Sequence, residues 1–125
     1  MRYIIDTSVF VDHSLGRPGT PELVDRLFGE SADLFACDVI VTEALSKGTD
    51  AEVAQVGTLL DALEYVSIPP AAARWAGEAR RSRGATGPRG TVDAVIAGLA
   101  WFMGATIVTR NPRDFEGMGV PVLAY

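Results

Sequence analysis

The chain has 125 residues, of which 48% are hydrophobic and 22% charged, proportions that are typical of one folded domain and exclude a disordered chain. The formal net charge of −5 argues against an unselective nucleic-acid binder, which needs a broadly basic surface. The chain has a single cysteine, Cys37, which excludes an internal disulfide and a multi-cysteine zinc site. No apolar run approaches the ~20 residues of a membrane span. We therefore expect one cytoplasmic domain over residues 1–125.

The first half of the chain is predicted to alternate short strands with helices. Asp6 follows a β-rich run and is placed to cap a helix, and Thr20 and Asp38 are placed to cap two more. Residues 49–52 form a capping box, which predicts a further helix. In chain order, the predicted elements are a strand over 3–5, helices over 7–15 and 20–28, a strand over 34–36, and helices over 38–47 and 50–63.

The second half continues this alternation. It is predicted to hold strands over 65–68, 105–108 and 120–123, one helix that begins after Pro70 and another that Thr91 caps. An arginine- and glycine-rich loop over 80–90 separates these helices. Strands that alternate with helices in this way predict an α/β fold, with a central, mostly parallel sheet of four to five strands in a three-layer α/β/α domain.

Four acidic residues are predicted to meet at one edge of this sheet. Asp6 directly follows the first strand, and Asp114 lies in the turn after the strand that ends at Val108. Asp93 and Glu43 lie in the first and second turns of helices that begin at the same edge, because right-handed crossovers return each helix down the sheet. Ligands of parallel α/β sheets bind beyond the carboxyl ends of the strands. The topology therefore predicts a carboxylate cluster in a ligand-binding crevice.

Such a cluster favours a divalent cation. Unpaired carboxylates repel one another, which raises their pKa values. Hard oxygen ligands select Mg²⁺ or Mn²⁺ over Zn²⁺, and Mg²⁺ bridges carboxylates to phosphate oxygens. The cluster therefore predicts metal-dependent phosphodiester hydrolysis without a catalytic histidine.

Each acidic residue also has a purely structural interpretation. Asp6 could cap a helix, Asp93 could complement a helix dipole, and Asp114 could cap the turn that follows Pro112. Glu43 follows two apolar residues at helical spacing, which predicts that it borders the core. A buried Glu43 would need either a functional role or an ion pair with Lys47.

The charges of the chain are unevenly distributed. Residues 1–73 carry twelve acidic and four basic residues, a net charge of −8, whereas residues 74–125 have a net charge of +3. Four arginines lie within 80–89, close in sequence to Asp93. They form either a solvated surface or a contact to a phosphate backbone beside the acidic cluster.

Two other patterns have the residue types of known sites but not their arrangement. Asp12, His13 and Ser14 are neighbours on a predicted helix, where side chains do not face one another, so no catalytic triad is expected. The glycine-rich segment 84–91 lacks the lysine of a phosphate-binding loop and follows a helix rather than a strand. Neither pattern indicates a second site.

Four segments of the sequence resemble, in order and spacing, the acidic motifs of the PIN-domain family. The similarity is greatest to the VapC-type ribonuclease toxins of type II toxin–antitoxin pairs, and it covers essentially the whole chain. The matching segments are IIDTSVFVD at 4–12, VIVTEALSKG at 39–48, TVDAVIAGLA at 91–100 and VTRNPRDFEGMGVPVL at 108–123.

The resemblance implies roles for the same acidic residues. Asp6 and Asp93 would be the principal Mg²⁺ ligands, Glu43 would complete the set directly or through a metal-bound water, and Asp114 would be the fourth acid. Mn²⁺ could replace Mg²⁺. Thr109 and Asn111 would order the pocket, and Thr7 or Ser8 would offer a hydroxyl group or an amide.

The resemblance also implies an activity and partners. The expected activity is endoribonuclease cleavage of structured RNA such as tRNA or rRNA, and the expected partner is a VapB-like antitoxin whose C-terminal segment blocks the pocket. A homodimer or a toxin–antitoxin hetero-oligomer is expected, with the helices over 20–28 and 53–63 as candidate partner surfaces. The alternative is a PIN-like RNA- or protein-binding module that turns over weakly or not at all.

Overall fold

The computed structural model describes residues 1–30 and 32–125. Within these residues, no helix is long and apolar enough to span a membrane. The elements are β1 (Arg2–Ile5), α1 (Thr7–Ser14), α2 (Thr20–Gly29), β2 (Asp33–Cys37), α3 (Asp38–Ala44), α4 (Asp50–Asp61), β3 (Glu64–Val66), α5 (Pro70–Ser82), α6 (Thr91–Met103), β4 (Thr106–Thr109), a 3₁₀ turn (Pro112–Phe115) and β5 (Val122–Ala124).

The five strands form one parallel sheet in the order β3-β2-β1-β4-β5. The chain moves from β1 outward to β3 through α1–α4, then crosses through α5 and α6 to β4 on the other side of β1. Right-handed crossovers therefore put α1–α4 on one face of the sheet and α5–α6 on the opposite face. This architecture confirms the predicted α/β fold with a parallel central sheet.

Some predicted helix caps are wrong by one residue. Thr20, Asp38 and Thr91 are the first helical residues rather than the caps, and the residue before each takes the cap position. Gly90, for example, has a φ of 84°, which a glycine adopts without strain. The capping box at Thr49 is confirmed, with both of its reciprocal hydrogen bonds to Glu52.

The helix α5 is longer than predicted, because it continues through Ser82 into the arginine-rich segment. It packs closely against α6 at Gly98, where an added Cβ would lie 2.4 Å from the carbonyl oxygen of Ala72. Beside this contact, the rings of Trp75 and Trp101 stack with their centroids 5.8 Å apart. The loop between the two helices is therefore carried by a tightly packed helical pair.

Candidate active site

The site lies where the order of the strands reverses direction. Strands β1 and β4 are neighbours in the sheet, and the chain leaves them toward opposite sides. Asp6 directly follows β1, and its backbone amide donates to the carbonyl oxygen of Val108 at 2.9 Å. Thr109 ends β4 beside it. In open α/β sheets, this switch point is where ligands bind.

The carboxylate of Asp6 is held by hydroxyl groups from two elements. Thr109 Oγ1 donates to Asp6 Oδ2 at 2.7 Å, and Ser8 Oγ donates to the same oxygen at 3.3 Å. Asp6 is 7% exposed, and this burial raises the pKa of its carboxyl, while the hydrogen bonds from Thr109 and Ser8 oppose the rise. The hydroxyl groups thus stabilise the ionised carboxylate of Asp6, which burial alone would disfavour.

Asp93 and Asp114 line one cavity of about 360 Å³. Asp93 is the third residue of α6 and is half-buried, whereas Asp114 lies in the exposed 3₁₀ turn. Burial raises the pKa of Asp93 to about 6, and the charges of Asp114, Asp6 and Glu43 add to the rise. The other three predicted carboxylates therefore all influence the pKa of Asp93.

Glu43 lies at the margin of this group. Thr7 Oγ1 donates to Glu43 Oε1 at 3.2 Å, and Glu43 lines a second cavity, of about 370 Å³, between α1, α3 and α4. The predictions that Glu43 borders the core or pairs with Lys47 are wrong. Its side chain is exposed, because Ile40 and Ala44 form the buried face of α3, and the ion pairs found in residues 1–30 and 32–125 both involve Asp12.

The carboxylates are electrostatically coupled without forming a compact group. Among the residues that the structure describes, no three acidic, histidine or cysteine side chains are grouped closely enough to hold a metal ion. The charges of Asp114, Asp6 and Glu43 nevertheless raise the pKa of Asp93, so the four carboxylates interact electrostatically.

The buried Asp12, for which the sequence predicts no catalytic role, supports this site through a hydrogen-bond network. Asp12 is 1% exposed and accepts from Arg110 Nη1 at 2.7 Å and Tyr125 Oη at 2.9 Å. It also pairs with Arg17 at 3.2 Å. The backbone amide of Arg110 donates to Ser8 Oγ at 3.1 Å, which connects this network to Asp6. Asp12 and Arg110 are 98 positions apart, so no local pattern could have indicated the contact.

Comparisons with known proteins relate the chain to one family. The sequence model of the PIN domain matches residues 3–120. The chain is 29% identical over 113 residues to ribonuclease VapC19 of Mycobacterium tuberculosis strain H37Rv, with 90% of each chain covered.

The fold is similar to those of solved toxin–antitoxin structures. The crystal structure of VapBC2 from Rickettsia felis, bound to a DNA fragment from its promoter, has a TM-score of 0.81 at 19% identity and covers 100% of this chain and 99% of that chain. DNA-bound VapBC from Salmonella typhimurium has a TM-score of 0.76 at 22% identity, with 99% and 98% covered. At these identities the likeness supports the fold alone.

Proposed function

The chain belongs to the PIN domain family, and from this premise we propose that it is a metal-dependent endoribonuclease that acts as the toxin of a toxin–antitoxin pair. Its relative VapC19 is named a ribonuclease, and several proteins of similar fold were solved as VapBC toxin–antitoxin complexes. The observation that carries the proposal is the placement of the acidic residues: Asp6 follows β1 at the switch point of the sheet, and Asp93 and Asp114 line one cavity.

The donor set fits Mg²⁺ or Mn²⁺. Asp6, Asp93, Glu43 and Asp114 offer carboxylate oxygens, which hard divalent cations prefer, and their mutual repulsion would be relieved by positive charge. Asp6 and Asp93 would be the principal ligands, since Asp6 is buried and Asp93 half-buried, whereas Glu43 and Asp114 are exposed. When bound, the ion would activate a water and stabilise the leaving oxygen of the RNA phosphodiester.

The other polar residues of the site would keep the carboxylates ionised and oriented. Thr109 and Ser8 hold one oxygen of Asp6, which leaves its carboxyl group a fixed direction at the edge of the sheet. Thr7 does the same for Glu43, and the backbone amide of Asn111 donates to Thr109 Oγ1 at 3.0 Å. Oriented ligands lower the cost of assembling a charged site.

Cleavage of total cellular RNA by the purified protein tests this proposal. The reactions contain Mg²⁺, Mn²⁺ or a chelator, and a parallel set uses Asp93→Asn. We expect discrete products that require the metal and vanish in the variant. Products of equal yield from the wild type and the variant would refute the assignment of Asp93.

A second candidate function is a PIN-like RNA- or protein-binding module without turnover. The looseness of the carboxylate group in the described residues favours it. Metal binding by calorimetry without any RNA cleavage would support this module, whereas metal-dependent products would exclude it.

We also propose a VapB-like antitoxin as the protein partner, in a homodimer or a toxin–antitoxin hetero-oligomer in the cytoplasm. Residues 1–73 have a net charge of −8, which suits a basic partner segment. The helices α2 and α4 bury one face each and expose the other, including Phe28 at 44% exposure. Co-purification with the product of a neighbouring reading frame, lost on charge reversal in α2 or α4, tests this assembly.

A further inference from the structure

The cavity that contains Asp93 and Asp114 has a basic wall. Besides these two acids, it is lined by Arg80, Arg83 and Arg89, from the end of α5 and the loop that follows. The segment 79–92 contains four arginines and no acidic residue. A concentrated positive charge therefore faces the candidate active site in a protein whose net charge is −5.

The three arginines have different roles within this cavity. Arg80 Nη2 donates to the carbonyl oxygens of Gly87 and Arg89, the latter at 3.2 Å. It thereby ties the loop back to α5 and fixes the backbone at Arg89. In the described part of the chain, the ion pairs involve only Arg17 and Arg110, so the guanidinium groups of Arg83 and Arg89 are available to a ligand.

The chemistry of these groups selects the kind of ligand. A guanidinium presents a planar fork of donors that matches a phosphate. A single small anion in the cavity would also meet the carboxylates of Asp93 and Asp114, which repel it. A polynucleotide can meet both ends of the cavity, because one phosphate can contact the arginines while the next lies at the acidic end, where a divalent cation held by the carboxylates would offset their repulsion.

We propose that Arg83 and Arg89 bind an RNA backbone phosphate adjacent to the one that lies at Asp93 and Asp114, with Arg80 positioning the loop. This proposal rests on the proposed ribonuclease function, whose reacting phosphate defines the acidic end of the cavity. It assigns Arg83 and Arg89 to substrate binding and not to the chemical step.

Arg81 provides a matched control. It lies in the same segment and is exposed, but it does not line the cavity. Arg81→Gln therefore changes the net charge as much as Arg83→Gln or Arg89→Gln does, without removing a cavity-lining donor. A difference between these variants reports a located contact, since general electrostatic attraction is reduced equally in all three.

The test is fluorescence anisotropy of a labelled stem-loop RNA in the presence of a chelator, so that binding is measured without cleavage. We expect Arg83→Gln and Arg89→Gln each to weaken binding at least about fivefold. The slope of log K against log salt concentration should also fall by about 0.7 for each lost phosphate contact. Arg81→Gln should stay within about twofold with its slope unchanged. Equal weakening in all three variants, or none, would overturn the proposal.

Two further measurements separate this proposal from its competitors. If Mg²⁺-dependent cleavage occurs and Arg81→Gln, Arg83→Gln and Arg89→Gln have the same KM, the proposed phosphate site is wrong and the proposed ribonuclease function is supported. If no cleavage occurs but RNA binding depends on Arg83 and Arg89 and not on Arg81, the proposed ribonuclease function is wrong and the proposed phosphate site is supported. A third outcome is that a polyglutamate peptide binds through Arg83 and Arg89 whereas RNA binding does not depend on these arginines. That result would assign the cavity to an acidic peptide and overturn the proposal.

Discussion

Replacing Asp93 with asparagine should stabilise the metal-free protein while abolishing cleavage. Burial and three neighbouring carboxylates raise the pKa of Asp93 from 3.8 to about 6, so ionising it in the folded state is costly. At about 1.4 kcal/mol for each step of one in pKa, this rise corresponds to about 3 kcal/mol at neutral pH. Because the side chain is only half-buried and solvent screens part of the repulsion, we expect a gain of about 1–2 kcal/mol.

The pH dependence has a defined sign. A carboxyl with a raised pKa binds more protons in the folded than in the unfolded state, so the stability of the wild type falls as the pH rises from 3.8 through about 6. The difference between Asp93→Asn and the wild type should therefore be small below pH ~4, grow up to pH ~6 and stay constant above it.

Thermal unfolding in a chelator, at a series of pH values, measures this effect. For a domain of this size the expected gain at neutral pH raises Tm by about 4–8 °C. Asp25→Asn, at an exposed position of α2, is the control and should change stability by less than about 0.5 kcal/mol. A parallel response of Asp93→Asn and the wild type to pH would refute the reasoning. Added Mg²⁺ should stabilise the wild type more than the variant, because the proposed site would bind the ion in the folded state through Asp93.

Other substitutions test the packing that supports the site. Gly98→Ala should destabilise the protein by about 1–3 kcal/mol in urea unfolding, because the added Cβ would collide with a carbonyl oxygen of α5. Gly57→Ala is the control: there is open space around this residue, and the substitution should stabilise the protein by about 0.5–1 kcal/mol. Tyr125→Phe should cost about 1 kcal/mol, because it removes a hydrogen bond to the buried Asp12, and an unchanged urea midpoint would contradict this. Burial raises the pKa of the Cys37 thiol, so Cys37 should react with a disulfide reagent only when the protein unfolds, and rapid labelling of the folded protein would show otherwise.

The sequence was most informative where topology determines position. Alternating strands and helices require a parallel sheet, and the rule that ligands bind at the switch point places Asp6 there without knowledge of any contact. The hydroxyl groups that hold its carboxylate are partly local, since Ser8 is two residues away. Thr109 is 103 residues distant, and only the pairing of β1 with β4 brings it into reach.

The errors arose where tertiary contacts override local patterns. Asp38 has the residue type of a helix cap, but its carboxylate accepts from Tyr65 Oη and from the backbone amide of Ile68. It therefore binds both β3 and the segment that follows it, 27 and 30 residues away, instead of capping α3. Glu43 was expected at the core because of its spacing from two apolar residues. The buried face of α3 is instead formed by Ile40 and Ala44, which leaves Glu43 exposed.

The stacked indoles of α5 and α6 give the protein a built-in optical reporter. Trp75 and Trp101 are its two tryptophans, so tryptophan fluorescence, excited selectively, and the near-ultraviolet circular dichroism of coupled indoles both arise from this helical pair. A change in these signals without a change in far-ultraviolet ellipticity would mean that α5 and α6 separate while the rest of the secondary structure persists. Binding events at the loop between them can thus be followed without attaching a dye to the protein.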